Sequence, residues 1–295
     1  MKLSICIPVY NCEPHALVES LLAQIYATAD AELILIDDAS LPEIQENNRI
    51  FTEDKKLTYL ENATNLGRAA GRNNFLNHAR GKHLLFLDDD STVVSKDFIK
   101  NYLEQITQAV VCGGRIYPAK YPGNRYSLHY TYGKKVETQS LKRRQAEPHR
   151  GFQTNNFMVN REVLEKIPFD ETLTTYGHED TLFGFKLKQD DISIIHIENP
   201  VIHTQLDENE NFLIKTREAI HNLKKLYNQY GHEFAKDVRL LRTYENLKKT
   251  GVIRVFISSF KMSRNRWERK LKSQNPSMRL FAGYKLGYFC FLLKS

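Results

Sequence analysis

The chain has 295 residues, of which 41% are hydrophobic and 26% are charged, as in an ordinary globular protein. This length allows one large domain with an appendage. The net charge of +7 hides an asymmetry, because residues 211–295 hold 19 Lys and Arg against 5 Asp and Glu, while residues 1–210 are net acidic. That distribution argues against a protein that binds nucleic acid along its whole length.

The cysteines and the apolar runs indicate the compartment. Four scattered cysteines without a C-x-x-C pair exclude a disulfide framework and favour a reducing cytosol. The first residues run into an apolar strand without a signal-peptide pattern. The sequence contains no run of 18 uncharged apolar residues that would cross a bilayer. We therefore expect a cytoplasmic protein.

Strand and helix patterns alternate in the first 120 residues. The predicted elements are strands at Leu3–Val9, Glu32–Ile36, Leu57–Leu60 and Lys82–Leu87, and helices over residues 17–25 and Arg68–Ala79. Strands separated by helices form βαβ units and a mainly parallel sheet. Ligands of such sheets bind beyond the carboxyl ends of the strands.

The later segments are less regular. Residues 113–150 show little periodicity and are predicted to be a long, partly ordered loop. The elements predicted beyond it are a strand at Phe152–Val159, a helix at Arg161–Ile167, a helix that follows the tight segment Tyr176–Asp180 and runs through Leu187, and extended pieces at Ile192–Ile197 and Pro200–His203. We expect an α/β domain over residues 1–210 and a basic helical region over 211–295.

Asp88, Asp89 and Asp90 directly follow the predicted strand Lys82–Leu87. Three adjacent carboxylates repel one another, and a divalent ion such as Mg²⁺ or Mn²⁺ would supply the missing positive charge. Asp88 and Asp90 would lie on the same side of an extended chain, so both could serve one metal. A solvated acidic turn that caps the next helix is the alternative.

Weaker polar clusters accompany this one. Asp37 and Asp38 follow the second strand, where a carboxylate could accept hydrogen bonds from a nucleobase or simply form a turn. Arg68 and Arg72 are four residues apart, so they share one face of a helix and could meet a diphosphate or the acidic clusters.

Two further candidates lie downstream. Glu179 and Asp180 open a predicted helix, where a carboxylate suits a general base or simply a favourable place at the helix dipole. His203 ends an apolar run, as a metal ligand or as a structural residue.

The order of these motifs resembles glycosyltransferase family 2. The resemblance covers about residues 1–205, in five ordered motifs: Ile7-Pro8-Val9-Tyr10-Asn11, Asp37-Asp38-Ala39-Ser40, Asn65-Leu66-Gly67-Arg68 with Arg72-Asn73, Leu87-Asp88-Asp89-Asp90, and Glu179-Asp180. It implies the GT-A fold, an inverting mechanism, and a nucleoside-diphosphate sugar, such as a UDP-sugar, as donor.

The same resemblance implies roles for individual residues. Pro8, Tyr10 and Asp38 resemble nucleobase contacts, and Arg68, with Arg72 beside it, resembles a nucleotide contact. Asp88-Asp89-Asp90 is similar to the DxD motif, with Asp90 as the direct metal ligand and Asp88 and Asp89 near the ribose and the metal. Asp180 is similar to the catalytic base, with Glu179 in an acceptor or supporting role.

The segment from Phe152 to His203 also resembles chondroitin-polymerase-like and polypeptide GalNAc-transferase-like enzymes. In those relatives a histidine after the Glu-Asp pair binds the metal, and His203 takes that place. One departure is that Gln153-Thr154-Asn155-Asn156 stands where many relatives have Gly-Gly. The acceptor is therefore constrained only to a glycan or lipid-linked saccharide of surface-polysaccharide synthesis.

The basic C-terminal region suggests a membrane surface. Helices are predicted at Lys215–Leu226, Phe234–Leu247 and Ile253–Met262, followed by an apolar, aromatic segment over residues 280–293. With the arginines and lysines ahead of it, this segment fits an in-plane anchor on anionic lipid through residues 252–295. A helix that packs on the domain, or forms a dimer contact, is the alternative.

Two other classes of protein remain as rivals. Asp88-x-Asp90-x-Thr92 matches the nucleophile motif of haloacid-dehalogenase-type phosphatases, although that motif normally opens the first strand of their core. A non-enzymatic basic binding protein would explain the pI near 9.0, but its positive charge would be confined to the tail.

Overall fold

The computed structural model describes residues 1–28 and 30–294; Ala29, and Ser295 at the end of the predicted C-terminal region, lie outside the described residues. The chain forms two compact units. Unit 1 comprises residues 1–118, 138–174 and 186–205, and unit 2 comprises residues 119–137, 175–185 and 206–295. Segments 119–137 and 175–185 thus group with the C-terminal helices. The assignment of residues 1–210 to a catalytic domain stays a prediction.

Strands are confined to unit 1 among the described residues. In chain order they are β1 (Leu3–Val9), β2 (Ala31–Asp37), β3 (Leu57–Glu61), β4 (His83–Leu87), β5 (Ser91–Val93), β6 (Val110–Cys112), β7 (Arg115–Ile116), β8 (Asn156–Asn160), β9 (Ile194–His196) and β10 (Val201–His203).

These strands form a large and a small sheet. The large sheet has seven strands in the order β3-β2-β1-β4-β8-β6-β9, and only β8 runs antiparallel to its neighbours. The small sheet has the order β5-β10-β7. The central strands are buried apolar runs, as strands covered on both faces must be. The mainly parallel α/β sheet predicted from the sequence is confirmed.

In the part of the chain that the structure describes, the first eight α-helices lie between strands, and the last four follow β10. They are α1 (His15–Thr28), α2 (Pro42–Asn48), α3 (Gly67–Asn74), α4 (Phe98–Leu103), α5 (Ser127–Tyr132), α6 (Leu141–Ala146), α7 (Arg161–Lys166), α8 (Glu179–Gln189), α9 (Asn209–Ala235), α10 (Arg239–Lys249), α11 (Ile253–Leu271) and α12 (Met278–Leu292). Short 3₁₀ turns lie at Arg49–Glu53, Phe75–Asn77 and Asn124–Tyr126, and a π-helical turn lies at Gly133–Glu137.

The prediction of a loop over residues 113–150 is wrong, because β7, α5, the π-helical turn and α6 lie there. Helix α6 begins at a cap in which the Ser140 side chain accepts a hydrogen bond from the backbone N–H of Arg143. The Arg144 side chain is buried and donates to the carbonyl oxygens of Cys112 (3.3 Å) and Ile197 (3.0 Å). Arginine is usually a surface residue, so an arginine on the buried face removes the apolar pattern by which this helix could have been predicted.

Unit 2 has its own core, and α12 is part of it. The large side chains of Phe281, Tyr284 and Phe289 are at most 2% exposed, because α12 packs against α9, α10 and α11. The apolar segment 280–293 therefore turns its aromatic side chains into unit 2. None of the helices in residues 1–28 and 30–294 is both long and apolar enough to cross a membrane.

Candidate active site

The acidic cluster lies where the sheet order would place a ligand. Strands β1 and β4 are parallel neighbours, so the chain segments that follow Val9 and Leu87 emerge at the same edge of the large sheet. Asp88, Asp89 and Asp90 form a turn there, closed by a hydrogen bond from the Ser91 N–H to the Asp88 carbonyl oxygen (3.2 Å). Because this is a turn, the strand alternation that predicted Asp88 and Asp90 on one side does not extend to Asp90.

Asp88 is held by Arg72 of α3. The Arg72 side chain is 2% exposed, and its Nη2 lies 2.8 Å from Asp88 Oδ1. Burial alone would raise the pKa of Asp88, but the positive charge of Arg72, followed by that of Arg68, keeps it below its ordinary value. Arg72 thus acts on the acidic cluster, which is one of the two roles that its position in the sequence predicted.

Asp89 lies in surroundings that disfavour its charged form. Its Oδ2 accepts a hydrogen bond from the Tyr10 N–H (3.0 Å). Burial, followed by the negative charges of Asp90 and Asp88, raises the pKa of Asp89 to about 7. The turn therefore holds more negative charge than its arginine partners neutralise.

Asp90 pairs with His203. Strand β10 runs antiparallel to β5 and brings His203 beside Ser91, so that His203 Nδ1 lies 3.0 Å from Asp90 Oδ1. The side chains of Asp90 and His203 are 18% and 10% exposed. The two residues that the resemblance implies as metal ligands are thus brought together from sequence positions 113 residues apart.

Asp38 has a structural role within unit 1. Its Oδ1 accepts from the Leu66 N–H (2.7 Å) and the Asn62 amide (2.9 Å), and its Oδ2 accepts from the Gly67 N–H (2.9 Å). The carboxylate therefore orders the start of α3. A carboxylate has about four acceptor positions, and these three hydrogen bonds occupy most of them.

Tyr10 and Arg68 reach the surface of the same edge of unit 1. Tyr10 directly follows β1, which contains Pro8, and its side chain is 55% exposed. Arg68 lies in the first turn of α3, is exposed, and acts electrostatically on Asp88 and Asp89. An exposed aromatic ring and an exposed guanidinium beside an acidic turn suit a nucleotide whose phosphates bind at that turn.

Sequence reasoning missed Arg115 and Tyr117, which lie in the segment predicted to be a loop. Strand β7 pairs with β10, so both residues come close to His203. The Tyr117 ring meets the His203 ring edge-on, with 5.3 Å between centroids, and Arg115 Nη1 donates to Tyr117 Oη (3.4 Å). Only the two-residue strand β7 brings them there, and such a strand leaves no pattern in a sequence.

Glu179 and Asp180 belong to unit 2, in the first turn of α8. The Glu179 side chain is buried, at 8% exposure. Asp180 Oδ1 accepts hydrogen bonds from the N–H (2.6 Å) and the Oγ1 (3.1 Å) of Thr181. The structure therefore defines the surroundings of the predicted base within unit 2.

The residues of unit 1 fit a divalent ion in part. In the two stretches that the structure describes, no group of three or more His, Cys, Asp or Glu is arranged to hold a metal. Asp90 and His203 offer one oxygen and one nitrogen, ligands that suit Mn²⁺, and phosphate oxygens of a substrate commonly complete such a shell. Burial and the charges of Asp90 and Asp88 raise the pKa of Asp89, and an added positive charge would offset that repulsion. The donor set therefore fits an ion that binds together with a phosphorylated ligand.

The whole chain resembles solved glycosyltransferase structures. One is the mannosyltransferase PcManGT from Pyrobaculum calidifontis, solved in complex with GDP-Man and Mn²⁺. The match covers 99% of this chain and 86% of PcManGT, with a TM-score of 0.57 and 14% identity. Another is S. aureus TarS 1-349 in complex with UDP-GlcNAc. The match covers 100% of this chain and 93% of the TarS chain, with a TM-score of 0.54 and 17% identity. The fold is therefore that of the GT-A glycosyltransferases.

Sequence relatives are glycosyltransferases as well. An uncharacterized glycosyltransferase of Haemophilus influenzae is 32% identical over 61% of this chain and 69% of its own length. The putative colanic acid biosynthesis glycosyl transferase WcaA of Escherichia coli is 28% identical over 45% of this chain and 53% of its own length. A Rickettsia felis glycosyltransferase is matched over only 15% of its length.

The family profile described as glycosyl transferase family 2 matches residues 4–168. The chain belongs to glycosyltransferase family 2. This membership rules out the phosphatase interpretation of the acidic turn and the non-enzymatic interpretation of the basic charge.

Proposed function

We propose that the protein is an inverting glycosyltransferase that moves a sugar from a nucleoside-diphosphate donor to a hydroxyl group. The observation that carries this proposal is the turn Asp88–Asp90 at the carboxyl edge of the large sheet, with Asp90 paired to His203 and Asp88 paired to Arg72. Family membership supports the reaction class. The turn supplies the place for a diphosphate and its counter-ion.

The candidate site residues of unit 1 each have a proposed role in binding the donor. Tyr10 stacks on the nucleobase, Asp38 accepts a hydrogen bond from it, and Pro8 contacts it from β1. Arg68 binds the phosphates, while Arg72 keeps Asp88 ionised and in place.

Asp90 and His203, with Asp88 beside them, would hold Mn²⁺ or Mg²⁺. When bound, such an ion neutralises the negative charge that grows on the diphosphate as it leaves. The Mn²⁺ in the PcManGT complex supports this proposal.

Asp180 is proposed to act as the general base. Its carboxylate accepts the proton of the acceptor hydroxyl while that oxygen attacks the anomeric carbon from the face opposite the leaving group, which inverts the configuration. Glu179 helps to bind the acceptor or supports Asp180. Both carboxylates lie in the first turn of α8.

The donor class is tested by thermal unfolding with a panel of nucleotides. We expect UDP with Mn²⁺ to raise the unfolding temperature, and UDP or Mn²⁺ alone to raise it less, because a ligand that binds only the folded state stabilises it. UDP is our first choice because TarS was solved with UDP-GlcNAc. GDP is tested as the alternative because PcManGT was solved with GDP-Man. A protein that responds to none of these with Mn²⁺ would contradict the proposal.

The acceptor is proposed to be a glycan or lipid-linked saccharide of a bacterial surface polysaccharide. The support is the similarity to WcaA, described as a colanic acid biosynthesis enzyme, and to a poly(ribitol-phosphate) beta-glucosyltransferase of Bacillus spizizenii. An acceptor of this kind would place the enzyme on the cytoplasmic face of a membrane.

Helix α11 is the surface that we propose for membrane contact, since the aromatic side chains of α12 are buried. On the outer side of α11, Val255 and Met262 are 72% and 90% exposed. Lys261, Arg266 and Arg269 are exposed on the same helix. Positive charge around exposed apolar side chains suits the headgroup region of an anionic membrane.

We expect the full-length protein to co-sediment with phosphatidylglycerol vesicles at low salt and to dissociate as salt screens the attraction. The triple variant Arg254→Glu, Lys261→Glu, Arg266→Glu on α11 is expected to lose most of this binding. The matched control reverses three exposed charges of α10, at Arg239, Lys248 and Lys249. Equal loss in both variants, or no binding by the unmodified protein, would contradict α11 as the membrane surface.

A further inference from the structure

One buried side chain holds the loop in front of Asp180. Asn222 of α9 is 0% exposed, and its Nδ2 donates to the carbonyl oxygens of Thr175 (3.0 Å), Gly177 (3.1 Å) and Tyr176 (3.3 Å). Its Oδ1 accepts a hydrogen bond from Thr175 Oγ1 (3.0 Å). A single amide thus binds three consecutive residues of this loop.

The same face of α9 fixes the loop sterically. Gly177 has φ +101°, and a Cβ added there would lie 2.5 Å from the Cβ of Ala219, which precedes Asn222 by three residues and shares its helix face. His178 has φ 71°, which is uncommon for a residue with a side chain. Such a conformation persists only where the surroundings impose it, and here Asn222 and Ala219 do so.

The loop is linked to the Asp180 carboxylate by hydrogen bonds. The Thr181 hydroxyl donates to Asp180 Oδ1 (3.1 Å), and His178 Nδ1 lies 3.1 Å from the same hydroxyl. Burial lowers the pKa of His178 to about 4 against the opposing negative charge of Glu179, so the ring is neutral near neutral pH. Because the hydroxyl uses its hydrogen on Asp180, the Nδ1–H of His178 donates to it.

We infer that Asn222 is a positioning residue, which sets the direction of the Asp180 carboxylate through the loop and through His178 and Thr181. The inference rests on the proposed role of Asp180 as the base. It makes the long helix α9, which the sequence assigned to an accessory C-terminal region, a part of the catalytic apparatus. To test this role, a substitution of Asn222 must lower kcat by more than an equal loss of folding stability does elsewhere in the protein.

Asn209 provides a matched control on the same helix. Its side chain is 7% exposed and binds the Leu128 N–H (2.8 Å) and the carbonyl oxygens of Asn124 (2.8 Å) and Lys272 (3.3 Å). These partners belong to other segments than the loop before Asp180. Asn222→Ala and Asn209→Ala therefore each remove one buried amide with several hydrogen bonds.

The assay is the release of UDP from UDP-N-acetylglucosamine, or of GDP from GDP-mannose, in Mn²⁺ with water as the acceptor. We expect Asn222→Ala to lower kcat by about tenfold to a hundredfold, since small misplacements of a reacting group cost that much. The donor KM and the Kd of the nucleoside diphosphate should change by no more than about twofold. Asn209→Ala should unfold at a similarly lowered temperature and keep its kcat.

Equal kcat losses in the two variants, or an unchanged kcat in Asn222→Ala, would overturn the inference. Should Asn222→Ala fail to fold, Gly177→Ala takes its place, because its new methyl group must displace the loop from Ala219; an unchanged kcat there is equally decisive. Asp180→Asn is assayed alongside. If it releases nucleotide at the normal rate, the proposed base is wrong and the positioning role falls with it; if it is inactive while Asn222→Ala matches Asn209→Ala, only the positioning role fails.

Discussion

Asp180→Asn is expected to lower the Mn²⁺-dependent release of UDP from UDP-N-acetylglucosamine by at least about a hundredfold, with UDP binding unchanged. A positioned general base contributes about 10²–10⁴-fold to a rate, and an amide cannot take the proton. The Asn side chain still offers an oxygen to the Thr181 N–H and hydroxyl, so the first turn of α8 should remain folded. Steady-state kinetics and titration calorimetry with UDP measure the two effects.

Glu162→Gln is the control for Asp180→Asn. Glu162 is an exposed carboxylate in the first turn of α7, so the substitution removes the same charge from the same part of a helix. It should leave nucleotide release unchanged. If Asp180→Asn loses UDP binding together with turnover, Asp180 serves donor binding or structure and another group is the base.

Asp90→Asn is expected to abolish the part of nucleotide binding that depends on Mn²⁺. A carboxylate ligand supplies charge that an amide lacks, so the Kd of UDP in Mn²⁺ should rise by at least about tenfold. The Kd of UDP without metal should hardly change. An amide oxygen can still accept from His203 Nδ1, so the link between β10 and the acidic turn is kept.

The matched control is Asp97→Asn, which removes an exposed carboxylate that precedes α4. It should bind UDP and Mn²⁺ as the unmodified protein does. Asp90 would lose its proposed role if its variant kept a normal response to Mn²⁺. His203→Ala, which removes the other proposed ligand, should weaken the metal response in the same direction.

The sheet could be predicted because its central strands have a recognisable sequence pattern. Strands β1, β2 and β4 are buried on both faces, so they appear in the sequence as mainly apolar runs that are followed by polar residues. The position of the acidic turn follows from the same pattern, since parallel strands end at one edge. The fold class, and the edge of the sheet at which the acidic turn lies, could therefore be predicted from the sequence.

The sequence could not predict which polar side chains pair with one another. Arg68 and Arg72 look equivalent in the sequence, yet Arg72 is buried against Asp88 while Arg68 is exposed. Asp38 looks like a free acidic residue, yet its two oxygens order the start of α3. These assignments depend on contacts between distant segments, which leave no local pattern.

The loop before Asp180 shows the same limit. Gly177 and Asn222 are unremarkable in their own segments, and only the fold of unit 2 reveals that one side chain of α9 binds the backbone of that loop. Helix α6 was missed because its inner face carries Arg144 rather than an apolar residue.

The most direct test is to measure Mn²⁺ binding by electron paramagnetic resonance, with and without UDP, in the unmodified protein and in Asp90→Asn. We expect UDP to increase the amount of Mn²⁺ bound by the unmodified protein, because Asp90 and His203 alone form an incomplete shell. The variant should bind little Mn²⁺ even with UDP. Equal binding by both proteins would contradict the central claim that Asp90, in the acidic turn after Leu87, holds the ion.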